Sequence, residues 1–565
     1  MSELTGSRLF AEMLHGYEVT HVFYLPAIML GAIAEMEDLD IVRVMTHGEK
    51  SAAYMADGYA RASNKPGVCL AQQIGASNLS AGLRDAYMAS SPIVAVTGGP
   101  PINAHYRHGY QEVDDFSQFD SVTKMNVRVD HVSRLPDLLR QAFRTATSGT
   151  PGPVHLQIQG PHGQVANEKT SLLPLVEQRF KSTPPFRPAC EREPLLQAIE
   201  LLKNSKKPII VAGGGVITSG ANSELIEFAQ KMQIPVATSL NGKSSILDSN
   251  PLAVGVAGTY SRSCANQSIY EADLVFFIGS HTGGQLTVDW SIPATGTPVI
   301  QLDINPLELG RNYPNQVSLL GDAKTVLQQL IDLAPSTQEN TMWIERIQFL
   351  VKDWRNQFTS LMHSDALPIR PERICYEISK ALPKNGVVVS DTGHSGMWTG
   401  AMIELNDPSQ RFIRCAGSLG WAFPGAMGVK CALPDSTVIC FAGDGAFYYH
   451  IGELETAIRY NINLIVVVNN NSALNQEIPL WDNVFLDKNS LNHRAEELWK
   501  FKPVNFANIA ESFGCVGMRV ENPNELAGAL KKAIKLNKPV VIDVVSDVNA
   551  FAAKAWIPKD TKNAH

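Results

Sequence analysis

Short uninterrupted apolar runs alternate along this chain with longer segments in which apolar residues return every three or four positions. The first pattern is that of strands buried on both faces, the second that of helices with one covered stripe. Residues 438–441 (Val-Ile-Cys-Phe) predict a buried strand, Gly443-Asp444-Gly445 a tight turn, 447–460 a helix and 464–468 a second buried strand. Together they form a βαβ unit whose polar groups fall at the carboxyl ends of its strands, where open parallel sheets take their ligands. Upstream, helical runs at 6–15, 49–62, 80–88 and 135–147 alternate with strand-like runs at 21–24, 41–45, 68–72, 93–97 and 154–158. Such alternation implies a parallel sheet covered by helices on both faces.

The pattern recurs, so the expected fold class is α/β with three doubly wound parallel-sheet domains over 1–170, 196–335 and 371–550, followed by a tail at 551–565. A segment rich in Pro, Lys and Glu at 171–195 and a second at 336–370, with a helix over 342–363, read as linkers. The middle domain has strands at 208–212, 234–238, 274–278 and 299–303, with glycine-rich loops such as Gly213-Gly214-Gly215 at their ends. Those loops suggest a dinucleotide site. It contains no GxGxxG, and a nucleotide-free spacer domain is the alternative.

With 565 residues, 44% of them hydrophobic and 18% charged, the chain has ample core material. The net charge of −7 and the lack of a long basic run give no sign of a nucleic-acid or membrane partner. Eight cysteines are scattered without CxxC or metal-ligand spacing, as expected of core thiols in a reducing compartment. The N-terminal residues carry charge and helical periodicity, and no later run approaches a membrane span. A cytoplasmic protein acting on a small molecule is the expectation.

Candidate chemistry gathers in the βαβ unit. Asp444 ends one strand and Asn469-Asn470-Asn471 end the next, so their oxygens can meet above the sheet. A hard cation, Mg²⁺ or Ca²⁺, suits the Asp444 carboxylate, the Asn471 side-chain oxygen and the Ala473 carbonyl, with phosphate oxygens completing its shell. Gly443 and Gly445 let the backbone approach a diphosphate, and the helix that follows offers its positive end. Glu49 opens a helix directly after a buried strand, a position that the helix dipole favours for any acid.

The succession of strand, Gly-Asp-Gly, helix, strand and asparagines resembles the thiamine-diphosphate-binding motif. Over nearly the whole chain the sequence is similar to the acetolactate-synthase-like branch of the thiamine-diphosphate-dependent enzymes. That resemblance implies pyrimidine-binding, central and diphosphate-binding domains in this order. Glu49, followed by Gly58-Tyr59-Ala60-Arg61, stands at the activating glutamate, which bonds the pyrimidine N1′ and helps to remove the thiazolium C2 proton. Gly75, in Ile74-Gly75-Ala76-Ser77-Asn78, belongs to a cofactor-side loop, and Gly393 and His394 fall near the diphosphate. Leu419 takes the place of the apolar wedge under a bent cofactor, with backbone groups of Gly417 and Leu419 reaching the pyrimidine. Tyr110, Gln111 and Lys124 match the substrate-side loop, and Arg107 adds a cation.

Glu477 stands where pyruvate-decarboxylase-type relatives carry a proton-transferring glutamate and acetolactate synthases an apolar residue. His47 and Lys50 depart from the family spelling while the glutamate register holds, and Ala27, Ile28 and the 74–78 loop depart in ways that bear on the substrate more than on the cofactor. The resemblance implies FAD, or ADP as in oxalyl-CoA decarboxylase relatives, for the central domain. It also implies a homodimer or homotetramer, because Glu49 and the metal motif meet across a subunit interface in this family. The leading reading is a carboligase acting on 2-keto acids. A 2-hydroxyacyl-CoA lyase or oxalyl-CoA decarboxylase, a cyclic-diketone-cleaving enzyme and a catalytically silent cofactor-binding regulator are the alternatives.

Overall fold

Runs of β-branched residues that can be buried on both faces form three six-stranded sheets in a computed structural model, which describes residues 3–335, 340–485 and 494–559. The first sheet has six parallel strands, His21–Tyr24, Val42–Met45, Gly67–Ala71, Ile93–Gly99, Asn126–Val129 and Pro153–Gln159. Counted along the chain, they stand side by side in the order second, first, third, fourth, sixth, fifth. The third sheet, built from Val387–Ser390, Arg411–Arg414, Val438–Gly443, Ile465–Asn470, Val516–Val520 and Val540–Val545, repeats that order. The two outer units are thus topological copies, each with its switch point between the first and third strands.

The middle sheet differs. Its strands Pro208–Ala212, Val236–Thr238, Ala253–Val256, Leu274–Ile278, Val299–Asp303 and Val317–Leu320 lie in the order third, second, first, fourth, fifth, sixth. This is the doubly wound arrangement of dinucleotide-binding folds, with its switch point between the first and fourth strands.

One apolar core joins the outer units, with Tyr54, Leu79 and Leu83 of the first beside Trp421, Met427 and Phe447 of the third. Helix Glu49–Ser63 crosses helix Ala422–Ala432 so closely that a Cβ on Gly58 would lie 1.9 Å from the Gly425 carbonyl oxygen. A Cβ on Gly428 would lie equally close, 1.9 Å, to the Met55 oxygen. Glycine is required at both crossing points.

Two local expectations need correction. Gly443-Asp444-Gly445 is not a tight turn, because strand Val438–Gly443 runs directly into helix Asp444–Tyr448 with Gly443 extended as its N-cap. The helix expected over 447–460 is also broken, resuming only as Glu453–Arg459. Gly452 weakens helical continuity there, and His450 is drawn aside to the Ser51 hydroxyl of the first unit at 2.9 Å.

Candidate active site

Strands Val438–Gly443 and Ile465–Asn470 are parallel neighbours with Gly443 opposite Asn469, so the residues following each strand meet over the sheet edge. Asp444 is 2% exposed. Its Oδ1 accepts the Gly445 N–H at 2.7 Å and its Oδ2 the Ala473 N–H at 3.2 Å. Asn471 Oδ1 accepts the same Ala473 N–H at 3.1 Å. Burial pushes the Asp444 carboxyl up to about 7, although neighbouring N–H groups oppose the shift. A carboxylate this deeply desolvated would be relieved by a cation, and the Asn471 amide oxygen that shares the Ala473 N–H suits a hard one. A Cβ on Gly443 would meet only the Ser395 hydroxyl, at 3.4 Å, leaving that backbone open to a ligand. Gly445 serves another purpose, because a Cβ there would strike Leu474 at 2.5 Å and push away the loop that carries Ala473.

A second wall comes from the loop after strand Val387–Ser390. Gly393 has φ of +63° and precedes helix His394–Met402. His394 Nδ1 bonds the Asn475 side-chain oxygen at 2.8 Å, and Asn475 in turn donates to the carbonyls of Val548 and Ala550. Burial holds the His394 ring below its usual range, with Asn475 and the charge of Glu477 acting the other way. Glu477 closes the short helix Asn475–Glu477 and is half-buried. Phe551 from the tail lies edge-on to His394.

The loop bearing Leu419 is held between two buried carboxylates. Asp85 of the first unit accepts the N–H groups of Ala416, Gly417 and Ser418 at 2.8, 3.1 and 2.9 Å. Asp391 accepts those of Gly420 and Ala422 at 3.0 and 2.8 Å, and burial raises it to about 6. Among the described residues, the Leu419 N–H and the Gly417 carbonyl are left without a hydrogen-bond partner. They are the two backbone groups that a pyrimidine edge could use, and the half-buried Leu419 side chain leans on the shared core.

Glu49, 7% exposed, begins its helix behind an extended Gly48 and accepts from the Asn78 amide at 3.1 Å. A Cβ on Gly75 would lie 2.3 Å from the Glu49 carboxylate, so this glycine makes room for Glu49. Two residues before Glu49, the His47 N–H donates to buried Glu453 of the third unit at 3.0 Å.

Three family models match the chain. They are the N-terminal thiamine-pyrophosphate-binding domain over 4–119, the central domain of thiamine pyrophosphate enzymes over 195–330 and their C-terminal binding domain over 391–544. A probable acetolactate synthase large subunit from Methanococcus aeolicus is 33% identical over 99% of this chain and 94% of its own length. The acetolactate synthase of Arthrospira platensis is 30% identical over 96% and 94%. The acetolactate synthase isozyme 3 large subunit of Escherichia coli K12 is 28% identical over 97% and 96%.

The chain belongs to the acetolactate-synthase-like thiamine-diphosphate enzymes.

Thiamine diphosphate is accordingly its cofactor, carbon–carbon bond formation its reaction class and a small molecule its substrate. No described helix is long and apolar enough to cross a membrane.

Other expected members of the family site are placed differently. Gln111 has φ of +63° and a buried Oε1 without a partner among the described residues, while Tyr106 and Tyr110 on the same loop are each 78% exposed. Lys124, expected on the substrate side, has its ammonium bonded at a helix end. Its ammonium donates to the carbonyls of Thr145, Ser148 and Thr150 at 2.6, 2.8 and 2.7 Å, closing the C-terminal end of helix Leu135–Thr147. Burial lowers it to about 8.

In the central domain of this family member, the glycine loops at the switch point pack backbone to backbone. A Cβ on Gly213 would lie 2.1 Å from the Gly279 oxygen. Beside them opens a cleft of about 460 Å³, lined among others by Gly214, Ser280, Asp303, Asp322 and Arg414. Arg414 reaches in from the third unit, bonding Asn241 at 3.1 Å and Gln285 at 2.7 Å, and its Nη1 is buried without a partner among the described residues. Sequence reasoning missed this cation because it lies far along the chain from the glycine loop. Asp85, Asp391 and Glu453 were missed for the same reason, each being an isolated acid whose partners lie in another segment.

Proposed function

We propose that the protein is a carboligase joining 2-keto acids, with Mg²⁺ and the diphosphate held at Asp444, Asn471 and the Ala473 carbonyl. The observation that carries this reading is the buried Asp444 carboxylate at the sheet edge, whose Oδ2 shares the Ala473 N–H with the Asn471 side-chain oxygen. Thiamine diphosphate, when bound, would supply a carbon nucleophile, once its C2 proton is removed, and an electron sink for decarboxylation. Glu49 would bond the pyrimidine N1′ and exchange a proton with it. Leu419 supports the cofactor from below, while the Leu419 N–H and the Gly417 carbonyl orient the pyrimidine. Gly443, Gly445, Gly393 and His394 border the diphosphate, and Gly75 serves Glu49. Gln111, its amide oxygen unspent, faces the substrate.

For the central cleft we favour FAD or ADP, the unpaired Arg414 nitrogen and the glycine loops supporting a nucleotide phosphate. The working divisions are 1–170, 196–335 and 371–550, with a tail from 551. A homodimer or homotetramer in the cytoplasm is part of this reading, and the like topology of the two outer units supports the oligomer. The carboxyl rim of the first sheet exposes Leu30, Ile74, Ile102 and Tyr110, and the third unit exposes Leu480 and Val484. Those apolar surfaces suit a second copy.

Glu477 favours a second reading, a lyase that releases an aldehyde or cleavage product, since its carboxyl beside His394 can deliver a proton. The test is to load the protein with thiamine diphosphate and Mg²⁺ and offer pyruvate, other 2-keto acids, cyclic diketones and 2-hydroxyacyl-CoA esters, identifying products by mass spectrometry. Ligated hydroxy-keto acids are expected. Aldehyde as the main product, restored to ligation by Glu477→Gln, would instead establish the lyase.

A further inference from the structure

Asp85 lies in helix Ala76–Met88 of the first unit, yet most of its hydrogen bonds go to the third. Its carboxylate is 0% exposed, and three consecutive N–H groups of the third unit, those of residues 416–418, point at it. Arg61 Nη2 completes the set at 3.1 Å. That arginine is itself fixed by two 2.7 Å bonds to Asp57, and its guanidinium lies over the Trp421 ring at 4.7 Å. Trp421 Nε1 donates to Asp57 at 2.9 Å. The charges of this buried cluster therefore settle on one short backbone segment, whose next residue is Leu419.

We propose that Asp85 is a positioning residue for the cofactor's pyrimidine end: by consuming the N–H groups of residues 416–418 it turns the Leu419 N–H and the Gly417 carbonyl outward as the free pair. This rests on the thiamine-diphosphate site already described. The physical argument is one of counting donors. A loop with φ of +90° at Gly420 has no helical ladder to satisfy its N–H groups, and without an acceptor they would turn to solvent or to one another. Asp391 secures residues 420 and 422 from the far side, so Leu419 is the residue between two fixed ends. Among the described residues, Asp85 makes no hydrogen bond to the loop around Asp444. Its influence should fall on the pyrimidine end and spare the diphosphate anchor.

The Asp85→Asn substitution keeps the side-chain shape but turns one acceptor oxygen into a donor facing N–H groups. Calorimetric titration, each time with Mg²⁺, compares two ligands: thiamine diphosphate, which uses both ends of the site, and inorganic pyrophosphate, which uses only the anchor. Thiamine diphosphate should bind roughly tenfold more weakly to the variant while pyrophosphate stays within about twofold. C2–H exchange of the cofactor bound at saturation should slow as well. Asp85→Glu, which keeps the charge but displaces it by one methylene, should show the same selectivity to a smaller degree and guards against a variant that fails to fold. Equal loss for both ligands would reduce Asp85 to a fold-stabilising acid and overturn the proposal, as would unchanged affinity for both. Failure of the wild-type protein to bind thiamine diphosphate would remove the cofactor site itself, a result separate from any ordering among variants.

Discussion

Glu49 is buried at the first position of its helix. The Asn78 amide and the vacancy left by Gly75 hold it in one orientation. Glu49→Gln keeps the shape and the Asn78 contact but cannot share a proton with a ring nitrogen. The variant should therefore bind thiamine diphosphate near wild-type affinity while exchange of the cofactor's C2–H slows by about a hundredfold or more. Proton NMR after quenching in D₂O measures it, and wild-type exchange would show that Glu49 is only a helix-opening acid. His155 carries the residue-scale pH dependence. It is fully buried, bonded to Thr97 at 2.8 Å and Asn126 at 2.7 Å, and stacked on Phe119. Burial lowers it from 6.5 to about 3, so the unfolded chain takes up a proton that the folded one refuses between those values. Its contribution is present above the unfolded value and lost as pH falls through that window. From pH 6.5 to 5 it costs about 2 kcal/mol, and His155→Gln should lose that much less on acidification in urea unfolding.

At the scale of elements, the strand-to-helix passage at Gly443 and the loop at Asn471 form one binding edge because their strands are neighbours in a parallel sheet. Asp444→Ala removes the only carboxylate among the proposed metal ligands. Metal-stripped variant protein titrated with Mg²⁺ should bind thiamine diphosphate at least about tenfold more weakly than wild type, and an unchanged constant would place the metal elsewhere. Helix Glu49–Ser63 adds a mechanical link, since its crossing with Ala422–Ala432 depends on Gly58. Gly58→Ala forces two backbones apart and should cost about 3 kcal/mol, seen as a thermal midpoint several degrees lower. Because the same helix begins at Glu49, C2–H exchange should slow in parallel. A stable variant with normal exchange would show that the crossing has slack.

For the whole molecule, the repeated strand order of the two outer units and the apolar rims at their sheet ends fit a shared site completed by a second copy. Light scattering at micromolar concentration should give a dimer or larger. An active monomer would confine the site to one chain. Denaturation of protein carrying FAD should release a yellow chromophore, whereas a colourless protein retaining an adenine nucleotide would assign the central cleft to ADP.

The alternation of buried strands and helices was legible in the sequence because those periods are set by neighbouring residues, and so were the α/β class and the three blocks of strands. The Asp444 and Asn471 pairing was legible for a related reason: a βαβ unit brings the ends of adjacent strands together whatever surrounds it. Helix breakage at Gly452 was not, since it depends on His450 reaching Ser51, about four hundred residues away in the chain. Lys124 looked like a loop cation until three carbonyls at a helix end enclosed it. That Gly75 also leaves space for Glu49 was not legible, and Asp85 carried no local mark at all. Local sequence determined which segments became strands and helices and which oxygens came to a sheet edge. Tertiary structure alone decided which buried charges found partners, because hydrogen bonds between distant segments are chosen by the packing of whole domains.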